Sequence, residues 1–234
     1  MNNKVVAIVL AAGQGKRMHS EVAKQYLKIK EKPILFYTLR AFEKSNVDEI
    51  VLVTGKGEEE YCRESIVRQY GFTKVSAIVC GGKERYDSVF EGLKVCKDTA
   101  YVLIHDGARP CISPAIINHT IEQVFMHKAC IVAVPVKDTI KRVDQNGVVQ
   151  DTIHRDELRI VQTPQAFDYN IIRNSYEVLM QQEHTHITDD AMVVETVSDI
   201  KVHVVEGSYM NIKVTTPEDL HIIKEYLNTI DLYE

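Results

Sequence analysis

Val5-Val6-Ala7-Ile8-Val9-Leu10-Ala11-Ala12-Gly13-Gln14-Gly15-Lys16-Arg17-Met18 decides how the rest of the chain is read. Residues 5–10 are a continuous apolar, largely β-branched run, the pattern of a strand covered on both faces in a parallel sheet. The loop that leaves it is built of small residues, which let the backbone come close to a bound group, and of glycines, which reach dihedrals barred to other residues. Lys16, Arg17 and, one short loop later, Lys24 bring three cations to the same place. Backbone N–H groups in such a loop hold polyphosphate oxygens, and the cations cancel the charge that those groups only partly balance. A phosphate cradle is predicted.

A lone Gly-x-Gly after a strand can simply turn the chain, so the neighbouring residues matter. The dinucleotide fingerprint needs a third glycine for close helix packing, and Met18 stands there, which disfavours NAD. The Walker loop needs Ser or Thr after Gly-Lys, and Gly15-Lys16 is followed by Arg17, with no hydroxyl for Mg²⁺. What remains, Leu-Ala-Ala-Gly-x-Gly-x-Arg-Met with Lys24-Gln25 downstream, resembles the nucleotidyltransferases of the sugar-nucleotide type.

Strand and helix signals alternate outward from this loop. Strands are predicted at 47–54, 75–79, 101–104 and 130–134. Helices are predicted from Pro33 through Phe42, from Glu58-Glu59-Glu60 to Gly71, at 85–96 and at 114–128. This spacing predicts an α/β fold, a doubly wound, mostly parallel Rossmann-like sheet, in one domain over residues 1–234. The rhythm then breaks. Two alternating runs flank Asp144-Gln145-Asn146-Gly147, a hairpin signal, and a polar hairpin alone is marginally stable. A β-arm at about 137–157 is therefore expected to protrude and dock on a second subunit, the alternative being a hairpin folded back on its own domain. Beyond it come helices at 171–179 and 191–197, strands at 201–205 and 211–214, and a last helix from Pro217.

The chain has 234 residues, 45% hydrophobic and 26% charged, ordinary values for a globular enzyme with a sizeable core. Its formal net charge of −5 argues against general nucleic-acid binding. A polyanionic substrate is still compatible, because charges 4 Å apart near a surface interact by roughly 4 kcal/mol and local cations outweigh a diffuse excess. The five cysteines, Cys62, Cys80, Cys96, Cys111 and Cys130, include no CxxC pair and suit small buried positions better than disulfides. Met1-Asn2-Asn3-Lys4 reads as neither signal nor transit peptide, and no apolar run approaches membrane-spanning length, so a cytoplasmic protein without membrane contact is expected.

Ligands in open α/β sheets collect at the carboxyl ends of strands. Three such ends carry chemistry here: the opening loop, Gly81-Gly82-Lys83-Glu84-Arg85 with Asp87-Ser88, and His105-Asp106-Gly107-Ala108-Arg109-Pro110. Asp106 is a candidate Mg²⁺ ligand, since Mg²⁺ takes one or two protein oxygens plus phosphate and water; a capping aspartate is the plainer reading. His184, His186, Asp189 and Asp190 match no zinc spacing and are discounted as a metal cluster, which leaves Thr188 as a hydroxyl for a polyol. No Gly-x-Ser-x-Gly supports acyl transfer.

With Lys24-Gln25-Tyr26-Leu27, Asp138-Thr139-Ile140-Lys141, Thr163-Pro164-Gln165, Ile187-Thr188-Asp189 and Asn211-Ile212-Lys213-Val214-Thr215 added, the chain resembles the 2-C-methyl-D-erythritol 4-phosphate cytidylyltransferase family nearly end to end. The resemblance implies CMP transfer from CTP to that polyol phosphate with release of pyrophosphate. It implies Arg17 and Lys24 as transition-state cations, joined by Arg155 and Lys213. Ala11, Ala12, Gly13, Gly15, Gly82, Arg85 and Ser88 would bind CTP. Asp106, Arg109, Thr139, Arg155, Thr163, Thr188 and Lys213 would place the second substrate. Asp106 would hold Mg²⁺, and a homodimer would form through the arm. Ala23 stands where the family usually has proline, which puts the positioning of Lys24 in question. Ribitol-5-phosphate cytidylyltransferase is the nearest rival, and a catalytically silent nucleotide-binding regulator the rival from another class.

Overall fold

The computed structural model describes residues 3–13, 22–181 and 187–229. β1 (Val5–Ala11) leads to a short ribbon of β2 (Lys28–Ile29) and β3 (Lys32–Pro33), then α1 (Ile34–Glu43), β4 (Glu49–Thr54) and α2 (Glu59–Tyr61). α2 runs on as a π-helical stretch over Cys62–Arg68 before β5 (Val75–Cys80). α3 (Arg85–Val95), β6 (Tyr101–Asp106), α4 (Pro114–His127) and β7 (Ala129–Pro135) continue the alternation. There follow β8 (Ile140–Val143), β9 (Val149–Ile153), β10 (Arg159–Asp168), α5 (Tyr169–Leu179), α6 (Asp190–Val197), β11 (His203–Glu206) and α7 (Pro217–Thr229).

Among the described residues one sheet has the strand order β5-β4-β1-β6-β10-β7-β11, parallel throughout except for β10. Successive side chains of a strand face opposite ways. Val5, Ala7, Val9 and Ala11 accordingly join a core with residues of α1, α4 and α7, and Val6 and Ile8 join one with residues of α3, α5 and α6. Both faces of β1 are covered, which is why its sequence is apolar without alternation. Cys62, Cys96, Cys111 and Cys130 are buried free thiols, Cys80 is half-buried, and burial pushes the Cys62 thiol up to about 11.

Local signals set the helix starts. Ser113 accepts from the Ile116 N–H ahead of Pro114, Glu84 and Asp87 form a reciprocal capping box on α3, and Asp189 accepts from the Met192 N–H at 3.0 Å to start α6.

Three features differ from expectation. β10 is an antiparallel strand between β6 and β7, with an irregularity between Val161 and Gln165 that accommodates Pro164; its polar Gln162-Thr163-Pro164-Gln165 reads locally as a loop. Residues 211–214 form no strand. The β2–β3 ribbon carries no sequence signal beyond Lys30 and Glu31, which take positive φ. The hairpin is present: β8 and β9 pair only with each other among the described residues. Its turn is held by Asp144, whose Oδ1 accepts from the N–H groups of Asn146 and Val148, and closes at Gly147 with φ +81°.

Candidate active site

The chain order carries β1 to β4 and β5 on one side and returns to β6 on the other, so the strand order reverses between β1 and β6. A crevice must open at the carboxyl ends of that pair. A cleft of about 930 Å³ lies there, lined by residues 10–13, by Lys24, by residues 81–85 with Ser88, and by Asp106 and Lys213. Close approach is built in. A Cβ on Gly107 would meet the Leu10 carbonyl oxygen at 2.9 Å, and one on Gly82 would meet Asp87 Cβ at 2.2 Å.

Lys24 sits on a single 3₁₀ turn, Lys24–Tyr26, whose two other residues fasten it. Gln25, 2% exposed, donates from Nε2 to the Ala11 carbonyl at 2.6 Å, and the Tyr26 hydroxyl donates to Glu58 Oε2 at 2.8 Å. Ala23 has φ −59°, the value a proline ring would impose, so the missing proline leaves the entry to the turn unchanged. Lys24 Nζ donates to the Val214 carbonyl at 2.9 Å.

Asp106 is the centre of the opposite wall. Lys213 Nζ lies 2.9 Å from its Oδ2, Arg109 Nε 3.4 Å from the same oxygen, and Arg85 Nε 3.5 Å from Oδ1. Burial alone would raise its pKa, but the charges of Arg85, Lys213 and Arg109 outweigh that and hold the carboxyl well below the usual range. Arg85 is in turn gripped bidentately by Asp190, at 2.9 and 2.7 Å, and Asp190 also accepts from the Tyr176 hydroxyl at 2.6 Å. Three cations against two carboxylates leave this wall net positive. Behind it the Asp106 N–H donates to Thr163 Oγ1 at 3.1 Å, and His105 Nδ1 shares that hydroxyl at 3.0 Å. Burial lowers the His105 pKa to about 3, so the ring is neutral.

The expected residues thus fall into three places. Ala11, Ala12, Gly13, Lys24, Gly82, Arg85, Ser88, Asp106 and Lys213 line the one cleft. The Ser88 hydroxyl accepts from the Gly82 N–H at 3.1 Å and donates to the Glu84 carbonyl at 3.1 Å, so it shapes the Gly81-Gly82 loop beside the cleft. Arg109 and Thr163 are buried behind the cleft, Thr163 with its hydroxyl turned to His105 rather than outward. Thr139 and Arg155 are exposed on the arm and Thr188 on the approach to α6, and none of the three is among the described residues lining this chain's own cleft. Gly15, Arg17, His184 and His186 lie outside the described residues. Among the described residues no His, Cys, Asp and Glu cluster could hold a metal ion by itself.

Gln165 and Asp190 were not singled out as functional. Gln165 Oε1 accepts from the N–H groups of Asp190 and Ala191, and Nε2 donates to Asp189, so the start of α6 rests on β10 and Asp190 is aimed at Arg85. No local signal marks that contact, since an acid following the cap of a helix is already favoured by the helix dipole without a cation.

The sequence pattern of 2-C-methyl-D-erythritol 4-phosphate cytidylyltransferase matches residues 5–229. The protein of that name from Lachnoclostridium phytofermentans is 52% identical over 217 residues, 93% of each chain. That from Alkaliphilus oremlandii is 48% identical, over 97% of this chain and 96% of the relative. The crystal structure of 4-diphosphocytidyl-2C-methyl-D-erythritol synthase from Anaerococcus prevotii superposes with a TM-score of 0.85 at 36% identity, over 97% of this chain and 96% of the other.

Proposed function

This chain belongs to the 2-C-methyl-D-erythritol 4-phosphate cytidylyltransferase family, and from that premise we propose how its cleft carries out the family's reaction. It transfers CMP from CTP to 2-C-methyl-D-erythritol 4-phosphate in isoprenoid biosynthesis. A phosphate oxygen of the polyol phosphate attacks the α-phosphorus of CTP, the bond to the bridging oxygen of the β-phosphate breaks, and pyrophosphate leaves with the bonding pair. Charge grows on the phosphoryl and leaving oxygens as this happens, so cations fixed beforehand lower the barrier more than they tighten ground-state binding.

Ala11, Ala12 and Gly13 are read as the backbone cradle for the triphosphate, with Gly15 continuing it, and Gly82, Arg85 and Ser88 as the wall on the cytidine. Lys24 exchanges the Val214 carbonyl for a phosphoryl oxygen, and Arg17 joins it. Lys213, Arg109 and Asp106 position the methylerythritol phosphate, with Thr163 fixing Asp106 from behind and Thr188 meeting a hydroxyl of the polyol. Thr139 and Arg155 reach the cleft of a second subunit, which makes a cytoplasmic homodimer the working unit. The absence of both from the lining of their own chain's cleft supports this.

Mg²⁺ fits this donor set. It needs only one or two protein carboxylates beside phosphate oxygens and water, and the cleft-lining Asp106 would offer it Oδ2 once the one-third-exposed ammonium of Lys213, 2.9 Å from that oxygen, turned to the triphosphate. When bound, the ion supplies charge neutralisation on the triphosphate.

The observation that carries the reading is the meeting of Lys24 and the Asp106–Lys213 pair across one cleft beside the loop that ends β1. Pyrophosphate release tests it, with CTP plus methylerythritol phosphate, CTP plus ribitol 5-phosphate, and each mixture with EDTA. Turnover with the first pair alone, abolished by chelation, is expected. Turnover that prefers ribitol 5-phosphate, or that persists without metal, contradicts the substrate or the metal assignment respectively.

A further inference from the structure

Three of the cations given roles above depend on the irregular segment 207–214. Lys24 Nζ donates to the Val214 carbonyl at 2.9 Å, Arg109 Nη1 donates to the Asn211 carbonyl at 2.7 Å, and Lys213 supplies the ammonium on Asp106. The segment is tied at its start by the Gly207 N–H, which donates to the Ala133 carbonyl at 2.9 Å, and by the Tyr209 hydroxyl, which donates to the Pro135 carbonyl at 2.7 Å. At its end the Val214 N–H donates to the Ala108 carbonyl at 2.8 Å. Between them the attachment is a side chain: Asn211, 0% exposed, donates from Nδ2 to the Thr163 carbonyl at 2.9 Å and to Gln162 Oε1 at 3.2 Å. Gln162 answers from Nε2 to the Ser208 carbonyl at 2.8 Å. Gly207 permits this closeness, since a Cβ there would lie 2.6 Å from Gln162 Oε1. Asn211 itself does not line the cleft.

We infer that Asn211 is a positioning residue for the polyol-phosphate half of the site, its amide fixing where Arg109 and Lys213 stand about Asp106 without touching either substrate. The inference rests on the roles proposed for those two cations. Its physical basis is the donor inventory. Both acceptors that Asn211 reaches are oxygens, so only a side chain with two N–H donors satisfies them; aspartate would turn lone pairs toward both, and alanine would leave both unmet where water is excluded. Val214, whose carbonyl holds Lys24, is pinned separately through Ala108, so the CTP half should be spared.

Steady-state kinetics on the full chain test this with Asn211→Ala, Asn211→Asp, Lys213→Ala and the Asn211→Ala/Lys213→Ala double variant. Asn211→Ala is expected to raise KM for methylerythritol phosphate by about tenfold while KM for CTP changes by less than about twofold. Asn211→Asp should do at least as much. The double variant should fall well short of the product of the two single rises, because part of the amide's effect runs through Lys213 and only the rest through Arg109. A residue that only stabilises the fold would weaken both substrates alike and add fully to Lys213→Ala, and that result overturns the inference. An unchanged KM in Lys213→Ala overturns the proposed role of Lys213 and the inference with it. A raised KM there beside an unchanged one in Asn211→Ala overturns the inference alone. Should Asn211→Ala not fold, Asn211→Ser, which keeps one donor, gives the same comparison with a smaller rise expected.

Discussion

Lys24 owes its place to uncharged neighbours: Gln25 ties its turn to the end of β1, and the Tyr26 hydroxyl ties it to Glu58. Because those anchors persist when the ammonium is removed, Lys24→Ala should cost on the order of 3 kcal/mol in transition-state stabilisation, felt mainly in kcat. Wild-type kcat in that variant would remove Lys24 from the reaction. His105 supplies a pH prediction. Its folded pKa of about 3 lies below the ordinary 6.5, so between those values the unfolded chain binds a proton that the folded one refuses. The stability this contributes is complete above pH 6.5 and is lost as pH falls toward 3. The His105 ring resonances in NMR should therefore hold still from pH 8 to about 5, whereas a midpoint near 6.5 would show a solvated ring. At this scale the sequence showed which cations gather, because Gly, Lys and Arg spacing is local. It did not show what restrains them. The partners of Arg85 and Arg109, Asp190 and Asn211, lie about a hundred residues away along the chain, and no local period links them.

The element most at odds with local appearance is β10. Pro164 cannot donate to a ladder and the residues around it are polar, so the stretch resembles a loop, yet it closes the sheet between β6 and β7. Its polar residues are spent inward, on His105, on Asn211 and on the start of α6. Gln165→Ala should thus leave the Asp190 and Ala191 N–H groups unmet, lower stability by about 1–3 kcal/mol and reduce Tm by several degrees. A Tm unchanged by calorimetry would mean that α6 starts without that side chain. The parallel strands, by contrast, were legible to within two residues at each end, most clearly the central ones, where burial on both faces writes a continuous apolar run. The arm was legible through its turn, where Asp144 and Gly147 do what turn residues do in isolation.

At the scale of the whole molecule a chain of net charge −5 concentrates cations at one crevice, and Thr139 and Arg155, both exposed, are not among the described residues that line it. If each site is completed by the partner's arm, mixing Lys24→Ala with Arg155→Ala subunits should restore activity, since a mixed dimer keeps one site with both residues intact. No recovery despite demonstrated subunit exchange would mean that each site is built within one chain. The arrangement on which everything else depends is the seat of the triphosphate at the reversal of strand order between β1 and β6. A crystal structure with CTP and magnesium addresses it most directly. The triphosphate should lie against the backbone of residues 11–13, with the Lys24 ammonium moved from the Val214 carbonyl onto a phosphoryl oxygen; a triphosphate bound elsewhere, with Lys24 still on Val214, would contradict the account.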